Sequence, residues 1–152
     1  MNDDALKPLA ETLEAWSHGL APAQRRKVAK KAAQTLRKAN AARIQKNVDP
    51  DGAKMAPLKK REDAKLRRRK RMFAKLRQLR HLKDKATADG FEVGFPASRT
   101  GAIAATHHFG LEGAVDRAGK IRTRYPARRL LGFGKGDEDA IMDALSDMFD
   151  RA

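Results

Sequence analysis

The residues able to do chemistry in this chain are few, and their spacing works against most reactions. His107 and His108 are adjacent. On a helix, neighbours point about 100° apart, so the pair cannot hold one ion from one face. With only His18 and His81 besides, no metal site is expected. The chain has no cysteine, which removes a thiol nucleophile, thiolate metal ligands and any disulfide scaffold. Ser17, Ser98 and Ser146 stand in no nucleophile-elbow or other hydrolase context. Gly132-Phe133-Gly134-Lys135-Gly136 superficially looks like a phosphate loop. It lacks the G-x-x-x-x-G-K-[ST] spacing, and acids follow where a hydroxyl would meet Mg²⁺, so it reads as a hinge before a helix. Asp49-Pro50-Asp51-Gly52 lacks the distal Glu and remaining oxygen ligands of a calcium loop and reads as a turn. The carboxylates crowd one helical stretch instead of facing each other across a cleft, so no acid/base pair is nominated. The expectation is a protein that is not an enzyme, with no cofactor and no metal.

What the chain does have in quantity is charge. Its 152 residues carry 34 Lys and Arg against 19 Asp and Glu, a net charge of +15, and that charge is unevenly placed. Residues 25–46 hold nine cations and no acid; residues 59–85 hold fourteen cations and three acids. Seven more cations fall in 117–135, whereas 137–150 contains six acids and no base. Blocks of opposite sign point to a polyanion or a complementary neighbour more than to a uniformly solvated surface. Base readout asks for Asn, Gln or aromatic residues among the cations, and residues 59–85 offer only Gln78 and Phe73. Any contact with nucleic acid would therefore tolerate many sequences. A basic, sequence-tolerant nucleic-acid-binding protein is the alternative reading. With eight aromatics the core is thin for the length, so partner surfaces are expected to complete it.

The elements that position these groups follow from periodicity. Asn2, Asp3 and Asp4 are candidate caps for a first helix whose apolar stripe is Leu6, Leu9, Leu13 and Trp16. Gly19 ends it. Pro22 suits the first turn of a second helix running to about Asn47, with Val28, Ala32, Leu36, Ala39 and Ile44 near one face. The two make a helical hairpin over 1–48. The segment 53–85 is basic and partly mobile: Arg67, Arg68, Arg69, Lys70 and Arg71 repel one another, and helical order is expected from about Arg71 onward. Phe91, Val93 and Phe95 alternate with polar or small residues as a half-buried strand. Leu82 to Thr87 is its expected partner across an Asp89-Gly90 hairpin turn. A short helix spans Ala102 to Phe109, a further strand Arg122 to Leu131 with Pro126 at an edge, and a last helix begins at Asp137. Ile141, Ala144, Leu145, Met148 and Phe149 line one side of that helix. The fold class is α+β: an N-terminal helical hairpin, a small antiparallel β-sheet, and flanking and C-terminal helices, read as one domain over 1–152. No run approaches the ~18 apolar residues of a membrane span, and the opening Met-Asn-Asp-Asp is not a signal peptide, so a soluble protein is expected.

Several stretches together resemble one family. They are Ala42-Arg43-Ile44-Gln45 followed by Asp49-Pro50-Asp51-Gly52, then Ala56-Pro57-Leu58 and Met72-Phe73-Ala74-Lys75-Leu76-Arg77. Next come Phe91-Glu92-Val93-Gly94-Phe95, His107-His108-Phe109-Gly110-Leu111, and Tyr125-Pro126-Ala127-Arg128-Arg129-Leu130-Leu131-Gly132-Phe133. In that order they look like the phage virion morphogenesis family of contractile-tailed phages. Met55 departs from the Trp or Tyr that members often carry, and Arg129 from a frequent Pro. The resemblance implies a structural protein at the head-proximal end of the tail, needed to finish tails and join them to filled heads. It implies a homo-oligomeric ring, commonly of six subunits, with tail tube, sheath, terminator, neck or connector proteins as neighbours. It also implies a place in the virion after assembly in the host cytoplasm, and no membrane. On this reading Asp139, Asp143 and Asp147, with Arg128 and His107, are candidate subunit-interface residues. The acidic helix would meet a basic surface of the next copy, such as its 25–46 helix. The run Arg67–Arg71 would face the DNA conduit or an acidic neck partner. Arg128 is also a candidate to bind a carbonyl or carboxylate beside the strand edge.

Overall fold

A computed structural model describes residues 7–58, 72–116 and 118–150, with the side chains of Trp16 and Ser17 excepted. The elements in order are α1 (Lys7–Ser17), α2 (Pro22–Lys46), β1 (Lys83–Ala86), β2 (Phe91–Gly94), α3 (Arg99–Phe109), β3 (Glu112–Ala114), β4 (Arg122–Arg124) and α4 (Asp137–Asp150). Among the described residues this is an α+β arrangement of four helices and two antiparallel ribbons. The expected caps Asn2, Asp3 and Asp4, together with Leu6, lie outside the described residues.

The long helix α2 begins as its sequence predicts. Pro22 lacks an N–H that the first turn would leave unpaired in any case. Ala21 at the cap has no side-chain acceptor, and the Gln24 carboxamide accepts the Ala21 N–H at 3.2 Å instead. The helix ends at Asn47, which takes a left-handed φ of 55°. Beyond it, Asp49 accepts the Ala53 N–H at 2.9 Å and closes the expected turn.

Two apolar clusters sit along α2. Val28, Ala32 and Leu36 pack with Leu9 of α1 and with Ile141 and Leu145 of α4. Ile44 packs with Met55, Leu76, Leu82, Ala104 and Leu130. Ala32 and Ala33 are fully buried, and their small side chains let a neighbouring helix approach closely. The main helical partner of α2 is α4, and the β1–β2 ribbon covers much of the rest. The 11-residue α1 adds Leu9 and, at the margin, Leu13, so it is the minor member of the N-terminal pair. Met55 is 7% exposed within the second cluster, so a thioether fills that site.

The strands and the segment before them depart from expectation in four ways. The β1–β2 register, Lys83↔Gly94 to Ala86↔Phe91, matches the predicted pairing. The reversal, however, falls across Ala88 and Asp89, closed by the Thr87 N–H donating to the Gly90 carbonyl at 2.8 Å. The second ribbon pairs β3 with β4 and is separate from the first, so there are two small sheets where one was expected. The strand expected over Arg122 to Leu131 stops at Arg124. Pro126 has no N–H to offer a ladder, and the Arg128 N–H goes to the His107 carbonyl at 2.7 Å. The fourth difference is that residues 72–82 form consecutive turns and not the expected helix. Phe73 adopts a left-handed φ of 56°, and bonds such as Leu76 N–H to Phe73 O span three residues, not four. Leu76 and Leu82 are thereby buried while Leu79 is left exposed.

The start of α4 is held to the second half of α2 by a polar lock. Arg43 donates to the Asp137 carboxylate at 2.9 Å and to the Gly132 carbonyl at 2.9 Å. Asp137 also accepts the Gly134 N–H at 2.8 Å. Asn40, 1% exposed, donates to the Leu36 carbonyl at 3.0 Å and accepts the Gly132 N–H at 3.0 Å. The loop read as a hinge is thus clamped. Gly134 is compulsory there, because a Cβ would stand 2.7 Å from the Pro50 carbonyl oxygen and 2.6 Å from the Arg43 guanidinium. Removing one partner strands a desolvated charge, so Arg43→Ala should cost about 3 kcal/mol in denaturant unfolding. Arg43→Lys should recover little of it, since one ammonium cannot span a carboxylate and a carbonyl as the planar fork does.

Candidate functional site

A second polar network ties α3 to the strap that follows β4. Arg128 is 3% exposed. Its Nε donates to the Ala56 carbonyl at 2.6 Å and one terminal nitrogen to the Pro57 carbonyl at 2.9 Å. The other terminal nitrogen stands 3.2 Å from His107 Nδ1. Arginine only donates, so His107 Nδ1 accepts and its proton sits on Nε2. The His107 ring lies between Phe73 and Tyr125, with centroid distances of 4.9 and 4.6 Å. His108 Nδ1 accepts the Leu130 N–H at 3.2 Å. Gly110 ends α3 at a φ of 64°, and a Cβ there would meet the Ala127 nitrogen at 2.9 Å.

These distances place the candidate residues plainly. Arg128 does bind carbonyls, as its position beside a strand edge implied. Named also as a subunit-interface residue, it has every guanidinium nitrogen engaged inside the chain and offers little surface to a neighbour. His107 is half-buried in the same network. The two histidines use their Nδ1 atoms in separate bonds, and no group of three or more His, Asp or Glu among the described residues could hold a metal ion. The Gly132 and Gly134 N–H groups are taken by Asn40 and Asp137, so these two are not free to cradle a phosphate. Ser98 is occupied as the α3 cap, accepting the Gly101 N–H at 3.1 Å.

The remaining groups face outward. On α4, Asp139, Asp143 and Asp147 are all exposed, with Asp150 beside them. At about 100° per residue they occupy roughly 80° of arc, opposite the side that buries Ile141 and Leu145. No ion pair among the described residues engages them. On α2, Arg26, Lys27, Lys30, Lys38 and Lys46 are exposed. Arg37 and Arg43 are instead committed internally, Arg37 to Asp84 of β1 at 2.7 Å. Arg129, standing where the resemblance has Pro, pairs with Asp51 at the surface. The cations Arg67, Arg68, Arg69, Lys70 and Arg71 lie outside the described residues.

Apolar surface is also left open. The β1–β2 ribbon, α3 and Phe133 surround an open hollow of about 380 Å³ whose walls include Phe91, Val93, Phe95, Ala104 and Phe109. Phe109 is 67% exposed and Ile121 62%. No described helix is long and apolar enough to cross a membrane. Sequence reading missed Asn40 and Arg43 as structural groups. The available signal was that Asn40 falls four residues from both Leu36 and Ile44, a polar residue inside an apolar stripe.

Compared with known proteins, the chain matches the sequence model of the phage virion morphogenesis family over residues 3–150. It is 31% identical over 141 residues to Tail completion protein S of Escherichia phage P2, an alignment covering 91% of this chain and 93% of that relative. No solved structure matches it.

The histidine network makes stability depend on pH. Burial first, and then the Arg128 charge, hold His107 below its ordinary value of 6.5; burial and Arg129 do the same for His108. The unfolded chain therefore takes up protons near that value while the folded chain does not. Stability should be flat above about pH 6.5 and fall as the pH drops below it, as read by denaturant midpoints between pH 7.5 and 5. Replacing both rings, His107→Gln with His108→Gln, should remove much of that slope.

Proposed function

The chain belongs to the phage virion morphogenesis family, and on that premise we propose that it is a tail completion protein. It finishes the head-proximal end of a tail and enables the joining of that tail to a filled head. The observation that carries the reading is the match at 31% identity across nearly the full length of both this chain and the phage P2 protein. The role is structural, not catalytic, and it works through surfaces. The protein acts in the virion after assembly in the host cytoplasm, against tail tube, sheath, terminator, neck or connector proteins.

The segregated charge supports a ring around the passage for the genome, with six copies if it follows the tail's symmetry. A closed ring of identical chains uses two different surfaces on each copy, and opposite charge is a direct way to make two surfaces complementary. The acidic row Asp139, Asp143 and Asp147 provides one of them. The cations of Arg67–Arg71 face the DNA conduit or an acidic neck partner.

The direct test removes the gene from its phage. Unjoined tails and filled heads should accumulate in electron micrographs, and supplying the chain in trans should restore joined particles. Asp143→Lys with Asp147→Lys should reduce joined particles sharply and weaken self-association at moderate salt; unchanged assembly would remove the acidic row from the interface. Changing all five residues of the 67–71 run to Gln should impair DNA retention or head joining. The basic nucleic-acid-binding alternative predicts a different result, a monomer that binds DNA tightly and loses it steeply as salt is raised.

A further inference from the structure

The β3–β4 ribbon packs chiefly on itself. Its ladder, Glu112↔Arg124 to Ala114↔Arg122, continues outward to Val115, whose N–H donates to the Ile121 carbonyl at 2.8 Å. It continues inward to Tyr125, whose N–H donates to the Leu111 carbonyl at 3.1 Å. Because side chains alternate, Gly113, Thr123, Val115 and Ile121 share one face. At Gly113 that face lies against the body: a Cβ would stand 3.2 Å from Thr106 and 3.1 Å from the Tyr125 ring. Two residues further out, Val115 and Ile121 continue the same face but are 41% and 62% exposed. Beyond them, Asp116 accepts the N–H groups of Lys120 at 3.3 Å and Ile121 at 2.8 Å. An isolated two-stranded ribbon is marginal in water, and a shaped one that holds an apolar pair away from its own core calls for a partner.

The opposite face of the same strand is basic. Lys120, Arg122 and Arg124 are exposed and alternate along the chain, so their charges recur about every 6.6 Å. On α4, Asp139, Asp143 and Asp147 recur every four residues, about every 6 Å along the axis. Flanking the acidic row is exposed Ser146, a small residue, and next to it on the arc lie half-buried Met142 and Phe149, the latter 43% exposed. A strand laid edge-on there would place its cations over the acids and its apolar side over Met142 and Phe149. The neighbour's 25–46 helix fits the acidic row less well, because Arg37 and Arg43 are already paired inside their own chain and α4 already lies on that helix.

We propose that the β3–β4 ribbon of one copy lies edge-on along the outer face of α4 of a second copy, Arg122 and Arg124 meeting Asp139, Asp143 and Asp147 while Ile121 covers Met142 and Phe149. This rests on the ring reading above and names the contact that closes it. Ribbon and α4 are different surfaces of each copy, so the contact is head-to-tail and propagates around a closed assembly.

The natural chain has no cysteine, so a single designed pair can be read without background. A full-length chain carrying Ile121→Cys and Ser146→Cys, treated with a short bis-maleimide, should yield a ladder of covalent multimers. Chains with one of the two changes should cross-link only when mixed with chains bearing the other, giving dimers of one of each. Arg122→Glu with Arg124→Glu should weaken self-association at least tenfold in light scattering, and adding Asp143→Lys and Asp147→Lys to the same chain should restore it. Circular dichroism would verify that each variant is folded. An oligomeric sample that gives no 121–146 link, or whose charge swap fails to restore association, would overturn the proposal while leaving the ring intact. A natural chain that stays monomeric at all concentrations overturns it as well. In either case, restoration of joined particles by the chain in trans tests the tail-completion reading separately.

Discussion

Burying a charge is costly unless it is paired and hydrogen-bonded, and this chain arranges such a pairing where Arg43 meets Asp137. The pair does more than join two side chains. Its guanidinium also takes the Gly132 carbonyl, its carboxylate takes the Gly134 N–H, and Asn40 takes the Gly132 N–H from the same side. A glycine-rich loop that would otherwise be free is thereby fixed, and with it the direction in which α4 leaves. The apolar face of α4 then falls on Val28, Ala32 and Leu36, and its acidic face necessarily points to solvent.

That division of charge links fold to function. Inside, cations are neutralised pairwise or by carbonyls: Arg37 with Asp84, Arg43 with Asp137, and Arg128 with two backbone carbonyls and His107. Outside, the cations of α2 and β4 and the acids of α4 have no such partners among the described residues. Surface charge of that kind contributes little to stability in a lone chain. Its effect appears when a second surface of opposite sign removes water from it, which is the situation of a subunit in an assembly.

Helices were the most legible elements. Pro22, Asn47, Gly110 and the run of Asp137, Glu138 and Asp139 mark helix ends by local backbone and dipole effects that need no tertiary information. The β1–β2 pairing was legible for a similar reason, since Phe91, Val93 and Phe95 alternate. β3 was not, because Glu-Gly-Ala has neither alternation nor β-branched residues, and its pairing depends on where Tyr125 and α3 come to rest. Residues 72–82 misled for the opposite reason. Their leucines and Phe73 recur at helical spacing, but burying Leu76 and Leu82 against Ile44 and Ala104 is achieved by a chain that turns through a left-handed Phe73.

The family resemblance, the α+β class, the charge blocks, the boundaries of α2, the C-terminal end of α3 and the start of α4 were determined by the sequence alone, because each rests on local periodicity, capping or composition. α3 itself begins at Arg99 behind the Ser98 cap, three residues before the expected Ala102. Tertiary structure alone decided that Arg128 turns inward while Arg122 and Arg124 stay outside, and that α4 is the main helical partner of α2. It also decided that the second ribbon ends in an uncovered apolar pair. These outcomes turn on desolvation, and whether water is removed from a side chain depends on what distant segments bring to it, which no spacing along the chain records.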